Sequence, residues 1–322
     1  MKNIPMKVLA NDGVSQSGID ALTSAGFEVI TTKVAQEQLV NYINQNNISV
    51  LLVRSATTAR KALIDACPSL KVIGRGGVGM DNIDVTYARE KGLSVINTPA
   101  ASSSSVAELV FAHLFGGVRY LFDANRNMPL DGDTRFKELK KNYAKGSELR
   151  GKTIGIIGFG RIGREVAKIA LGCGMKVIAS DNYVDTADIT LDFFDGQKVT
   201  IEVKTKPIDD LIQQSDFITL HVPAQKQYVI GRAQIEKMKD GAAIINAARG
   251  GVIDEVALIE ALDNGKLSFA GLDTFEKEPT PEVKVLMSHK VSLSPHIGAA
   301  TNEAQDRIGT ELATQIIELF EN

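Results

Sequence analysis

One stretch constrains the fold more than any other: residues 152–181, KTIGIIGFGRIGREVAKIALGCGMKVIASD. The apolar run over 153–157 reads as a parallel strand buried on both faces. Gly158-Phe159-Gly160-Arg161-Ile162-Gly163 follows at once, and Ile162, Val166, Ile169 and Ala170 then recur at helical spacing. A second apolar run, 175–179, leads to Asp181. Strand, glycine turn, helix, strand and acid in that order predict a βαβ unit that cradles a dinucleotide. Gly158 permits the tight turn, Gly160 lets the backbone approach a pyrophosphate, and Gly163 lets the helix pack against the strand. The helix start offers N–H groups and a positive dipole end to phosphates. Asp181 is placed to accept hydrogen bonds from an adenosine ribose, and its charge repels a 2′-phosphate. NAD is therefore expected rather than NADP.

The chain has 322 residues, enough for two domains. Its net charge of −3 gives no general attraction to nucleic acid or to anionic membranes, so neither is an expected partner. No apolar stretch approaches the length of a membrane span, and the first residues do not read as a signal peptide, so a cytoplasmic location is expected. Cys67 and Cys173 sit in apolar helical surroundings and suit neither a metal site nor a disulfide framework.

Residues 1–101 alternate apolar runs (7–10, 27–30, 50–53, 71–73, 94–96) with helical patterns (15–25, 36–45, 60–66). This predicts a small parallel α/β domain. Its segment Gly74-Arg75-Gly76-Gly77-Val78-Gly79-Met80-Asp81 follows a strand and so falls at the carboxyl edge of the sheet. It reads as an anion-binding nest or as a plain flexible loop. Thr98-Pro99 breaks the pattern, and Ser102 to Ser105 offer N-caps for a helix running to Arg119. His113 lies in the apolar run of that helix and reads as a packed core histidine. Residues 123–150 are polar and basic, a solvated arm or a surface reaching towards a partner subunit. Residues 182–206 break the βα rhythm, and 198–203 alternates like an added edge strand. After a helix over 208–214 come strands over 217–222, 242–246 and 268–272, and another at Ser292. They run into His221-Val222-Pro223, Ala247-Ala248-Arg249-Gly250-Gly251, Asp273 and Pro295-His296-Ile297-Gly298, polar strand ends expected to converge on one crevice. A last helix over 303–320 carries Ile308, Leu312, Ile316 and Leu319 on one stripe and is expected to return to the first domain. The expected architecture is α/β. A Rossmann domain with a doubly wound parallel sheet spans 102–298, and a smaller flavodoxin-like substrate domain is built from 1–101 and 299–322.

Arg249 sits between an apolar strand and two glycines, where a fixed guanidinium can hold a carboxylate and polarise an adjacent carbonyl. His296 lies between Pro295 and a Gly298-Ala299-Ala300 segment, with Glu278 upstream. A carboxylate on one imidazole nitrogen fixes the tautomer and leaves the other nitrogen to exchange a proton with a substrate oxygen. From the bare residues alone, the alternatives are a surface acid at Glu278 and a helix-capping residue at His296.

The glycine turn with Asp181, NAARGGVIDE (246–255), GLDTFEKEP (271–279) and SPHIGAAT (294–301) together resemble the D-isomer-specific 2-hydroxyacid dehydrogenase family over essentially the whole chain. Within it, VRSATTARKALIDACPSLKVIGRGGVGMDNID (53–84) and INTPAASSSSVAEL (96–109) are similar to the substrate-loop and linker-helix segments of the D-3-phosphoglycerate dehydrogenases. The resemblance implies His296 as acid/base, Glu278 as its partner and Arg249 as substrate anchor. It implies the backbone of Gly76, Gly77, Val78 and Gly79 as the carboxylate cradle, and Arg54, Ser55 and Arg75 are further expected substrate-binding residues. Around NAD it places Val78, Gly158, Gly160, Arg161, Ile162, Gly163, Asp181, His221, Val222, Pro223, Ala247, Ala248, Arg249, Asp273, His296, Gly298 and Ala299, with Asp273 near the carboxamide. A homodimer held through 102–150 is implied. So is NAD-dependent oxidation of 3-phospho-D-glycerate, a step of serine biosynthesis; a substrate phosphate needs cations, and Arg54, Arg75 and Arg135 are the candidates. Glyoxylate or hydroxypyruvate reduction is the rival within enzymes, and an NAD-sensing corepressor-like protein the rival outside them. Two departures stand out. Ala224-Gln225-Lys226-Gln227 replaces the threonines usual after the His-Val-Pro turn, and the chain ends at Asn322 without the regulatory domain of longer relatives, so serine feedback is not expected.

Overall fold

The structure, a computed structural model, describes residues 5–321. Its contacts divide the chain into two compact units: the residues up to Ser103 together with those from Ala299 onward, and Ser104–Gly298. The first unit opens with β1 (Lys7–Ala10), α1 (Gln16–Ser24), β2 (Glu28–Ile30), α2 (Leu39–Asn46), β3 (Ile48–Val53), α3 (Lys61–Ala66), β4 (Val72–Arg75), α4 (Val85–Glu90) and β5 (Ser94–Asn97). Its five strands are all parallel, in the order β2-β1-β3-β4-β5, the flavodoxin-like arrangement.

The chain then continues through α5 (Ser103–Val118), α6 (Leu121–Asp131), α7 (Phe136–Asn142), β6 (Thr153–Ile157), α8 (Arg161–Gly172), β7 (Lys176–Ser180), β8 (Thr186–Asp192) and β9 (Lys198–Lys204). After these come α9 (Ile208–Gln214), β10 (Phe217–Leu220), α10 (Arg232–Lys237), β11 (Ala242–Asn246), α11 (Glu255–Asp263), β12 (Leu267–Leu272), α12 (Val283–Leu286), β13 (Val291–Leu293) and α13 (Asn302–Glu321). Six parallel strands run β13-β12-β11-β10-β6-β7. The strands read as unbroken apolar runs because both faces of this sheet are covered. Ile154, Ile156, Ala243 and Ile245 pack with α5 and α8 on one face, and Ile218, Leu220, Ala242 and Ile244 pack with α9, α10 and α11 on the other. The carboxyl-terminal α13 belongs to the first unit, where Ile308, Leu312 and Ile316 join Val8, Val50 and Val72 in its core.

One expectation needs correction. The alternating run at 198–203 is not an added edge strand of the large sheet: β9 pairs antiparallel with β8 as a separate two-stranded sheet. A tight turn closed by Phe193 N–H on Gln197 O at 2.9 Å sends the chain straight back on itself. The inner face of the hairpin, Ala187, Ile189 and Val203, joins the core that contains α8. Residues 123–150, read as a solvated arm or as a surface reaching towards a partner subunit, contain most of α6, none of whose residues is buried, and all of α7. No single helix among the described residues is long and apolar enough to cross a membrane.

Candidate active site

The strand register of the second unit assembles the site. Ser180, Ile157, Leu220, Asn246, Leu272 and Leu293 pair side by side as one rung across all six strands. The residues that follow this rung are Asp181, Gly158, His221, Ala247, Asp273 and Ser294, so the turns that leave the sheet there share one edge. The strand order reverses between β6 and β10, the switch point at which α/β sheets bind ligands.

At that point Gly158 has φ +91°, and a Cβ there would lie 2.4 Å from His221 O, so only glycine fits. Asp181 closes the turn: its carboxylate accepts N–H bonds from Phe159 (2.6 Å), Tyr183 (2.8 Å) and Val184 (3.2 Å). A cleft of about 740 Å³ opens beside it, lined by Gly158, Gly160, Asp181, His221, Val222 and Pro223 among others. Nothing stands within 4 Å of where a Gly160 Cβ would be, and Gly160 caps α8 without a side chain occupying the helix amides. His221 Nε2 lies 3.1 Å from Thr219 Oγ1, while its Nδ1 is buried without a partner among the described residues. Burial pushes the His221 pKa down to about 3, so the ring is neutral. An open glycine turn, uncapped amides and an unmet ring nitrogen fit the pyrophosphate and ribose of a dinucleotide.

The next strand ends carry acid–base groups. After β11, Asn246 Oδ1 accepts from Ala248 N at 3.1 Å and its Nδ2 donates to Arg249 O at 2.8 Å, a turn in which Ala247 and Ala248 are buried and Arg249 is half-buried. Arg249 Nη1 donates to Ala248 O at 2.6 Å. After β12, Glu278 Oε1 accepts from Phe275 N at 3.0 Å, and Oε2 lies 2.8 Å from Nδ1 of His296 beyond β13. The side chains of His296 and Glu278 remain 39% and 36% exposed, so this pair can still reach a ligand. His296 has φ +55°, a left-handed conformation costing on the order of 1–3 kcal/mol that its surroundings must impose. Asp273 is only 1% exposed, and its oxygens take Ser294 Oγ, Ile297 N and Gly298 N at 2.6, 2.8 and 2.9 Å. Asn246 escaped the sequence reading, although an asparagine at a strand end two residues before an alanine amide is an Asx-turn signal.

In the first unit, the Gly76 and Gly77 amides donate to Val53 O (2.9 Å) and Arg75 O (3.0 Å). Of the Gly76–Gly79 nest, the Val78 and Gly79 amides are therefore the ones left to a ligand. Arg75 folds its guanidinium against Gly77. A second cleft of about 490 Å³ follows β1, β2 and β3 and is lined by Asp12, Lys33, Arg54 and Ser55 with their neighbours. The Asp12 carboxylate is already engaged by Arg54 N, Thr57 N and Thr57 Oγ1 at 2.6, 3.0 and 2.7 Å. Arg135 lies elsewhere, on the exposed start of α7, paired with Glu138 and Asp131. Ala299 belongs to the first unit. Among the described residues no group of three or more His, Cys, Asp or Glu could hold a metal.

Residues 111–298 match the family described as D-isomer specific 2-hydroxyacid dehydrogenase, NAD binding domain. Over 316 residues the chain is 42% identical to a hydroxypyruvate reductase of Thermotoga maritima, covering 96% of this chain and 97% of that protein. The chain belongs to the D-isomer-specific 2-hydroxyacid dehydrogenase family. Another member, a D-3-phosphoglycerate dehydrogenase of Methanocaldococcus jannaschii, is 41% identical over 97% of this chain, which spans 57% of that relative's length. A glyoxylate reductase from Paecilomyes thermophila has the same fold, with a TM-score of 0.82 at 29% identity over 99% of this chain and 96% of its own. So does a D-lactate dehydrogenase from Aquifex aeolicus, solved with NAD and lactic acid, with a TM-score of 0.73 at 30% identity over 98% of this chain and 95% of its own. NAD is the family's cofactor and this chain's.

Proposed function

We propose that this dehydrogenase oxidises 3-phospho-D-glycerate to 3-phosphohydroxypyruvate. The observation that carries the chemistry is the 2.8 Å contact between Glu278 Oε2 and His296 Nδ1, on strand ends next to that of Arg249. With Nδ1–H held by the carboxylate, Nε2 is the nitrogen left to move a proton. In oxidation, His296 Nε2 takes the C2 hydroxyl proton as C2–O becomes a carbonyl, and Glu278 stabilises the imidazolium that results. In the reverse direction the imidazolium returns that proton to the oxygen at C2. Bound NAD supplies the acceptor for the hydride leaving C2. Arg249 steadies the negative charge that develops on the C2 oxygen.

The phosphate is assigned to Arg54, with Lys33 and Ser55 lining the same cleft. The Asp12 carboxylate in that cleft accepts from Arg54 N, Thr57 N and Thr57 Oγ1, which fixes the loop that carries Arg54. A second reading, hydroxypyruvate reduction, is favoured by the name of the Thermotoga maritima relative, which this chain covers almost end to end. The test is NADH oxidation with 3-phosphohydroxypyruvate, hydroxypyruvate and glyoxylate. An ion pair to a phosphate supports a preference of about 10–100-fold in kcat/KM for the phosphorylated acid, lost in Arg54→Gln. A higher kcat/KM for hydroxypyruvate selects the second reading, and no turnover with tight NADH binding rejects catalysis altogether.

A further inference from the structure

The helix α5 is apolar through its buried stretch, with Val106, Ala107, Val110, Phe111, Leu114 and Val118 in the core, yet His113 is buried in the same stretch at 4% exposure. Its Cβ faces the backbone of β12 at Gly271. Both ring nitrogens are engaged: Nδ1 lies 2.8 Å from Ser292 Oγ and Nε2 lies 3.0 Å from Ser294 Oγ. Ser294 in turn donates to Asp273 Oδ1 at 2.6 Å. The same carboxylate accepts the N–H groups of Ile297 and Gly298 at 2.8 and 2.9 Å. Those are the two amides directly after His296, the residue held in the left-handed conformation.

With the imidazole neutral, the form its burial favours, the donors and acceptors in this chain have one consistent arrangement. A carboxylate only accepts, so the Ser294 hydroxyl proton points to Asp273. The Ser294 oxygen then accepts from His113 Nε2–H. That leaves His113 Nδ1 as an acceptor, filled by the Ser292 hydroxyl. The hydrogen bonds therefore run in one direction, from β13 through the helix to the carboxylate beneath the His296 turn. A leucine would fill the site on α5 without burying polar nitrogens, so the histidine contributes connectivity that packing does not require.

We propose that His113 is a positioning residue for the acid–base imidazole, acting through Ser294 and Asp273 on the Ile297 and Gly298 amides. The inference rests on the reading of His296 as the proton-transferring group. An imidazole released from its conformation drifts out of line with the substrate oxygen, and misplacement on that scale costs about 10²-fold in rate.

The test compares His113→Leu, His113→Asn, His113→Gln, Ser294→Ala and the His113→Leu/Ser294→Ala double variant with His296→Asn. The measurements are kcat at saturating NADH, NADH affinity by fluorescence, and amide hydrogen exchange at Ile297 and Gly298. His113→Leu is expected to lose about 10–100-fold in kcat with NADH affinity kept, and to speed exchange at both amides. Glutamine reaches Ser294 and restores much of the loss; asparagine, too short to pass Ser292, does not. The double variant is no slower than the worse single one, as for residues acting in one chain. If His113→Leu does not fold, Ser294→Ala carries the same expectations. Wild-type kcat and unchanged exchange in folded His113→Leu overturn the proposal while leaving His296 in place. Additive losses in the double variant also overturn it. An undiminished kcat in His296→Asn removes the underlying reading and the positioning role with it.

Discussion

Single residues here are placed by hydrogen bonds that leave few alternatives. Glu278 is fixed before any substrate arrives, because one oxygen is held by the Phe275 amide and the other faces His296. Glu278→Gln keeps the shape but replaces the charge that stabilises an imidazolium. It should lower kcat by about 10–10³-fold and leave NADH affinity unchanged, read from steady-state kinetics beside a binding titration. Burial holds the His113 imidazole below the ordinary histidine range, against the opposing pull of the Asp273 charge. A depressed histidine contributes stability that is present above its unfolded pKa of about 6.5 and is lost as pH falls through the folded value. Wild-type Tm should therefore decline between pH 7 and pH 5 more steeply than that of His113→Gln, a comparison a thermal melt series makes directly. From the sequence His113 reads as a core residue, and the core is where it sits. Its serine partners are not legible there, because Ser292 and Ser294 lie some 180 residues downstream and meet it only once β13 takes its place in the sheet.

At the scale of elements, the glycine turn and the β7 end form one clamp. Asp181 is read from its spacing as a ribose acceptor, and the structure gives it a second task, holding the Phe159, Tyr183 and Val184 amides. Asp181→Ala is thus expected to be more than a cofactor-preference change. Loss of hydrogen bonds to a charged group costs about 2 kcal/mol, or about 4–8 °C in Tm, and NADP should not replace NAD in the damaged turn. Calorimetry with each cofactor checks both parts. The strands over 153–157 and 242–246 were legible to the residue, since a strand covered on both faces must be an unbroken apolar run bounded by polar turns. The β8–β9 hairpin was harder to place, because period-two alternation marks a half-covered strand without saying which sheet it joins. Helix α6 was hidden for the opposite reason: it contains Pro129 and buries none of its residues, so it shows no core-facing stripe.

For the molecule as a whole, the exposed apolar side chains on α6 and α7 bear on assembly. Leu121, Leu130 and Phe136 are 63%, 75% and 56% exposed. We propose that 102–150 mediates a homodimer, in which such exposed apolar side chains would be covered. Sedimentation velocity should give a dimer for the wild type and a monomer for a Leu130→Glu/Phe136→Glu variant. The convergence of the strand ends was legible in the sequence, but the order β13-β12-β11-β10-β6-β7 in which they stand was not, because pairing order is a property of the folded sheet. The central claim is that His296, backed by Glu278, moves the proton while hydride moves at C2. Single-turnover NADH oxidation by His296→Asn tests it most directly, with NADH affinity measured on the same sample. The rate should fall by about 10²–10⁴-fold with the affinity unchanged. A variant that oxidises NADH at the wild-type rate would contradict the account.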